Sequence, residues 1–261
     1  MKVVIFAGGL GSRITEESHL RPKPMIEIGG KPILWHIMKI YASQGYNDFI
    51  ICCGYKGHMI KEYFLNYFMY NSDLSIDISN NQVTVHNTNS DNFKVTLIDT
   101  GLSTKTAGRL KKVKEHIDTD QFFLTYGDGV ANINIEEQLK FHNAHDKLAT
   151  MTIVQPEGKF GSLKFDSDGL VTDFQEKPQG DGHWINGGFF VVDKKALDYL
   201  PEDDLVAEEV MWEDSPLENL AKDHQIMAFK HQGFWKCMDA MRDKIILDGL
   251  WEKGKAKWKV W

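Results

Sequence analysis

Six residues, Lys2-Val3-Val4-Ile5-Phe6-Ala7, run directly into Gly8-Gly9-Leu10-Gly11-Ser12-Arg13, and this junction limits the fold of the 261-residue chain more than any other feature. A continuous apolar strand is covered on both faces, which calls for helices on both sides of a largely parallel sheet. A glycine-rich turn after such a strand lets backbone N–H groups approach a phosphate without side-chain obstruction. Arg13 beside it supplies a guanidinium suited to a polyphosphate. Two familiar versions of the turn are excluded. Counted from Gly9 as G-x-G-x-x-G, the third glycine position holds Ile14, so the dinucleotide fingerprint fails. No G-x-x-x-x-G-K-[ST] stretch occurs either.

The rest of the chain keeps the same rhythm of strand and helix, the pattern of an α/β protein. Apolar periodicity predicts a helix over 33–44, a buried strand over 49–53, and a helix after Gly54 with Met59, Ile60, Tyr63, Phe64, Tyr67 and Phe68. Short strands are expected in 75–98, a helix over 105–116, and a buried strand over 122–126 ending in Gly127-Asp128-Gly129. Asn134 is placed to cap a helix reaching about His145, followed by a strand over 148–154. Residues 160–165 and 170–175 read as a hairpin turning at Asp168-Gly169, and 184–192 as one more strand. Ser215-Pro216-Leu217-Glu218 has the form of a capping box, and 239–251 that of a last helix.

Composition removes several classes. Apolar residues at 42% and charged residues at 26% exclude disorder. A net charge of −7 argues against a nucleic-acid binder built on a broad basic surface. No apolar run approaches the roughly 18 residues of a membrane span, and the opening strand is too short for a signal-peptide core. Three cysteines, two of them adjacent, make no disulfide framework. The expectation is a soluble, reduced, cytoplasmic protein with no nucleic-acid or membrane partner. The Trp/Lys-rich tail from Trp251 is expected to dock on the body or on a neighbouring subunit. His142 and His145 lack Cys or acidic partners at zinc spacing and read as a solvated face; Cys52-Cys53 reads as core.

Arg21-Pro22-Lys23-Pro24-Met25 holds a lysine between two prolines, which lowers the entropy lost when it engages an anion. Asp128 follows a buried strand, at the carboxyl edge where α/β sheets bind ligands. Taken alone, Gly-Asp-Gly is an ordinary turn and Asp239, ahead of a helix, an ordinary cap.

Together, Gly8–Arg13 and Pro22–Met25 resemble the signature of the sugar-1-phosphate nucleotidylyltransferases. The likeness continues through Thr125–Gly129, Glu176-Lys177-Pro178, Asn186–Phe190 and Gly233-Phe234-Trp235, and covers essentially the whole chain. It implies a mixed, mostly parallel central sheet flanked by helices, the Rossmann-like fold of nucleotide-diphospho-sugar transferases. It implies one domain over 1–261, with a nucleotide-binding half at about 1–130, a sugar-phosphate half at about 131–240, and a C-terminal helix and tail at about 241–261. By the same resemblance Arg13, Lys23, Asp128 and Asp239 are catalytic, and Asp128 and Asp239 hold Mg²⁺. Ala7, Gly8, Gly9, Leu10, Gly11, Ser12, Arg13, Lys23, Thr104, Arg109 and Gly127 would bind nucleotide, Gly127 leaving room for the nucleoside. Glu176, Lys177, Asn186 and Gly187 would bind the sugar phosphate. Residues 106–109 read Thr-Ala-Gly-Arg where relatives often carry Thr-Gly-Gly-Arg, which puts the loop geometry there in question.

Phe49–Gly57 and Gly249–Ala256 narrow the resemblance to members that use CTP and glucose 1-phosphate and feed dideoxy-sugar synthesis, and the resemblance implies a homo-oligomer, a hexamer. A thymidylyl- or uridylyltransferase is the nearest alternative. A non-catalytic nucleotide sensor is another, although Arg13, Lys23, Asp128 and Asp239 are all present. A nicotinamide-dependent dehydrogenase is the weakest, given the failed fingerprint.

Overall fold

A computed structural model describes residues 1–156, 158, 162–175 and 183–261. Seven strands form the central sheet, in the order Ile226–His231, Ala149–Val154, Ile185–Asp193, Gln121–Tyr126, Lys2–Ala7, Asp48–Cys53 and Lys94–Asp99. Ile185–Asp193 runs antiparallel to both neighbours, and every other pairing is parallel. The mixed, mostly parallel sheet expected from the sequence is therefore present. Lys2–Ala7 lies between Gln121–Tyr126 and Asp48–Cys53, both parallel to it, so three strand ends open on the same edge.

Alternate residues of these strands feed two cores. Val3, Ile5, Phe49, Ile51 and Phe123 meet the helix Ile33–Ala42 on one face. Val4, Ile50, Phe122 and Leu124 meet the helix Thr106–Val113 and Trp212 on the other. This two-sided burial explains why Lys2–Ala7, Asp48–Cys53 and Gln121–Tyr126 read as nearly continuous apolar runs.

Local expectations mostly hold. Asn134 Oδ1 accepts Glu137 N at 2.9 Å and caps Ile135–Asn143. Ser162–Phe165 and Val171–Gln175 pair as a hairpin, with Gly169 at φ +85° in its turn. Residues 160 and 161, placed in the first hairpin strand, lie outside the described residues. Two expectations fail. Ser215 starts the helix Ser215–Lys222 and does not cap it; Asp214 holds the cap position, its carboxylate turned back to Met211 N at 3.1 Å. His142 is buried, not solvated. Its helix lies against Ala149–Val154, where Thr150 Oγ1 meets His142 Nδ1 at 2.9 Å and His145 Nε2 at 2.8 Å. Polar residues on the strand thus give the helix a polar inner face, with Gln138 Nε2 donating to Thr152 Oγ1.

The tail docks on the body. Trp258 is fully buried and donates Nε1–H to His36 Nδ1 at 3.3 Å, while His36 Nε2 donates to Ile28 O at 2.8 Å. Both ring nitrogens are engaged in a way that only neutral imidazole allows. Burial lowers His36 to about 4. His145 and His231 are also held below the usual histidine value, each chiefly by burial. The unfolded chain takes up these protons at higher pH than the folded one, so stability is full above pH 6.5 and falls towards pH 4. His36 alone accounts for about 3 kcal/mol of that fall. Thermal unfolding across pH 7.5 to 4.5 should show a falling Tm, with the slope reduced in His36→Gln; parallel slopes would contradict the assignment.

Candidate active site

Three backbone pieces meet at the carboxyl edge of the first strand. Lys23 begins a single 3-10 turn, Lys23–Met25, with extended Pro22 before it and Pro24 within it. Asp128 stands in the turn after Gln121–Tyr126. Asp239 follows the short strand Trp235–Cys237, which pairs with Gly129–Ala131 and so brings residue 239 beside residue 128. The carbonyl of Asp128 also accepts Met238 N at 2.9 Å. Asp239 is not the cap of the helix Met241–Glu252. Asp243 reaches back instead, accepting Ala240 N at 3.0 Å and Asp239 N at 3.2 Å, which leaves the Asp239 carboxylate free to face the cleft.

Lys23 Nζ lies 2.6 Å from Asp128 Oδ2 and 2.7 Å from Asp239 Oδ1. Arg13 Nη1 approaches Asp239 Oδ2 at 3.4 Å from an exposed position. Burial works against the Lys23 ammonium, but the Asp128 carboxylate and the bonds to both aspartates outweigh it and hold it above the usual lysine value. Burial likewise opposes the Asp239 charge, and Lys23 and Arg13 overcome it, holding Asp239 below the usual carboxylate range. Cys237 Sγ lies with Asp128 and Asp239 in a group whose ligand atoms are all within 4.8 Å of one another. Burial pushes the Cys237 thiol up, so it stays protonated and is a poor partner for a hard cation. Two carboxylates with room for phosphate oxygens and water suit an oxygen-seeking divalent cation.

A cleft of ≈ 250 Å³ opens beside this cluster, lined among others by Arg13, Tyr126, Asp128, Asn186, Trp235 and Asp239. Asn186 and Gly187, expected on the sugar side, are both on its wall. Gly188 has φ +81°, and a Cβ there would lie 2.5 Å from the Tyr126 ring, so only glycine lets the tyrosine lie against this strand. Trp235 Nε1 donates to Gly187 O at 2.7 Å. Glu176 and Lys177 lie outside the described residues.

The glycine loop opens outward past Gly8. Ala7 and Gly8 are buried, whereas Gly9, Leu10, Ser12 and Arg13 are exposed and Gly11, at φ +65°, turns the chain. A Cβ on Gly8 would fall 2.0 Å from Arg109 Nη1. Arg109 lies behind the loop and is 4% exposed. Its guanidinium donates to Gly8 O at 2.9 Å, Gly101 O at 2.9 Å and Thr100 Oγ1 at 2.6 Å. It therefore clamps the loop from within. Thr104 is buried, with its hydroxyl turned to Lys112 Nζ at 3.4 Å. Gly127 is required by packing, since a Cβ there would meet Phe6 O at 2.6 Å and Pro24 Cγ at 3.2 Å. Ala107 lies inside a regular helix and needs no glycine. Tyr126 and Trp235 lie in motifs that carry the resemblance but were given no role of their own, and Cys237 was not singled out; its position two residues before Asp239 was the available signal.

Sheet topology and the carboxylate–lysine cluster at its edge define a nucleotide-handling α/β enzyme, and residues 2–241 match the family described as nucleotidyl transferase. The chain belongs to that family. It is 54% identical over 262 positions, spanning all of both chains, to glucose-1-phosphate cytidylyltransferase of Salmonella typhi. A relative from Bacillus subtilis is 44% identical, again over the whole of both chains. Among solved structures, HddC from Yersinia pseudotuberculosis superposes with a TM-score of 0.67 at 25% identity, covering 96% of this chain and 99% of that one. The CTP:phosphocholine cytidylyltransferase of Streptococcus pneumoniae shares the fold, with a TM-score of 0.60 at 18% identity and coverage of 96% and 98%. No helix among the described residues is long and apolar enough to cross a membrane.

Proposed function

We propose that this chain transfers the cytidylyl group of CTP to α-D-glucose 1-phosphate, giving CDP-glucose and pyrophosphate. One observation carries the reaction type: Lys23 placed between Asp128 and Asp239 at the open edge of the sheet. The full-length identity to the Salmonella enzyme supports the choice of substrates.

The chemistry needs little acid–base help. The attacking oxygen of a sugar phosphate is already anionic near neutral pH, so no general base is required. The barrier lies in bringing anions together and in stabilising charge as it shifts onto the leaving pyrophosphate. Lys23, pinned by two prolines and two carboxylates, offers a fixed ammonium for that charge. Arg13, exposed at the lip of the cleft, is free to swing onto the triphosphate. The Gly8–Arg13 loop, braced by Arg109, presents backbone N–H groups to it. Mg²⁺ held by Asp128 and Asp239 would supply Lewis-acid neutralisation of the phosphates and orient them. Asn186, Gly187, Glu176 and Lys177 are the proposed sugar-phosphate side.

Residues 1–130 are read as the nucleotide half, 131–240 as the sugar-phosphate half, and 241–261 as the strap that closes on the first. A cytoplasmic setting agrees with three free thiols, two of them buried in one strand. A homo-oligomer, by resemblance a hexamer, agrees with the exposed Ile76, Val83 and Val85 on the hairpin formed by Ser72–Asp77 and Gln82–Thr88.

Pyrophosphate release from glucose 1-phosphate, measured separately with CTP, UTP, dTTP, ATP and GTP, tests the reading. CTP should give the highest kcat/KM. A higher value with UTP or dTTP would leave the family intact and overturn the assignment of the base.

A further inference from the structure

Lys236 is turned away from the cleft by the pleat of its own strand. Side chains alternate across Trp235–Cys237, and Trp235 and Cys237 line the cleft, so Lys236 points to the opposite side. There Lys236 Nζ lies 3.0 Å from Asp243 Oδ1, and the two side chains are only 25% and 13% exposed. The other oxygen, Asp243 Oδ2, accepts Ala240 N at 3.0 Å and Asp239 N at 3.2 Å.

Asp243 is the third residue of the helix Met241–Glu252, and a carboxylate at that position ordinarily reaches back to the N–H just before the helix, here Ala240 N. Capping explains that bond alone. The contacts with Asp239 N and Lys236 reach past the helix start, into the segment that carries the cluster. Residues 235–239 are thus held from two sides. On one side Trp235–Cys237 pairs with Gly129–Ala131, and Asp128 O accepts Met238 N at 2.9 Å. On the other side stands Asp243. With the N–H of residue 239 committed to Asp243, its carboxylate meets Lys23 Nζ at 2.7 Å and Arg13 Nη1 at 3.4 Å. Lys236 matters for charge. A lone carboxylate at 243 would add a third like charge beside Asp128 and Asp239, and the lysine cancels it. Asp243 lies outside the group of ligand atoms formed by Asp128, Cys237 and Asp239, and both of its oxygens are engaged elsewhere. What it contributes to the cluster is position.

We propose that Asp243, its charge cancelled by Lys236, is a positioning residue for the divalent-cation site: it fixes the backbone at residue 239 so that the Asp239 carboxylate stays in register with Asp128. This deepens the functional reading above and rests on its assignment of Asp128 and Asp239 as cation ligands. Asp243 touches neither substrate nor cation on this account and acts through Asp239. Groups that orient a ligand in this way are typically worth about 10- to 100-fold in metal affinity.

The test is direct binding of Mn²⁺ to the free protein, read from the electron paramagnetic resonance signal of unbound Mn²⁺. Two double variants are compared, Lys236→Met with Asp243→Asn and Lys236→Met with Asp243→Leu. Each removes one positive and one negative charge; they differ in whether an oxygen remains to accept the backbone N–H groups. The Asn form should bind Mn²⁺ within about threefold of wild type, and the Leu form about tenfold more weakly. Loss of a helix cap alone lowers Tm and leaves this Kd unmoved. Lys244→Met, which breaks the 2.7 Å pair with Asp248 further along the same helix, should likewise leave it unmoved. Equal Kd values in the two double variants, or the same loss in Lys244→Met, would overturn the role. If the Leu form fails to fold, Lys236→Met with Asp243→Ala takes its place. Asp239→Ala tests the reading underneath and should bind Mn²⁺ far more weakly than wild type. Wild-type affinity in Asp239→Ala would remove the cation site and the role of Asp243 with it. Weak binding there, together with equal double variants, would overturn the role of Asp243 alone.

Discussion

Lys23→Ala is expected to lower turnover about 100- to 1000-fold, the usual cost of one lost electrostatic contact on charge that develops in the transition state. The geometry makes a second demand. Lys23 Nζ separates the Asp128 and Asp239 carboxylates at 2.6 and 2.7 Å, so its removal leaves two anions facing each other. The variant should therefore lose stability at neutral pH without added metal and regain it on addition of Mg²⁺. Lys23→Arg should not rescue activity, because a planar fork cannot occupy the position of a compact ammonium between two carboxylates. Thermal melts with and without Mg²⁺, alongside steady-state rates, check both parts. Near wild-type turnover in Lys23→Ala would make the Pro-Lys-Pro turn a structural feature only.

Asp128→Ala and Asp239→Ala should each remove most activity, and the double variant should be little worse than either. Groups that serve as a unit are non-additive in this way, since the second removal finds nothing left to lose. The turn-and-cap alternative predicts something else: losses near 1 kcal/mol of stability at each position, adding simply, with activity retained. The structure already weakens the cap half of that alternative, because Asp243 and not Asp239 accepts the backbone donors at the helix start.

The sequence made the sheet legible because its strands are buried on both faces, so Lys2–Ala7, Asp48–Cys53 and Gln121–Tyr126 stand out as unbroken apolar runs. Lys23 and Asp128 were legible for another reason. Proline-fixed backbone and a strand-end aspartate are local features, and the resemblance tied them to Asp239. Features that depend on a distant partner were not legible. His142 looks solvated until Thr150 and Asp193 are placed beside it. The role of Arg109 as a brace under the loop was not legible, because the carbonyls of Gly8 and Gly101 that its guanidinium holds are set there by the fold. The capping box at Ser215 failed because the same letters permit a start one residue earlier, and Asp214 took it.

The central claim is that Asp128 and Asp239 share one divalent-cation site with Lys23 between them. A Mg²⁺ titration of turnover on the wild type and on the two single variants tests it most directly, with Mn²⁺ as a second oxygen-seeking cation. Both variants should need far more Mg²⁺ than the wild type, respond to Mn²⁺ in the same way as each other, and reach low plateaus. Unshifted curves rising to near-normal plateaus would remove both residues from the active site.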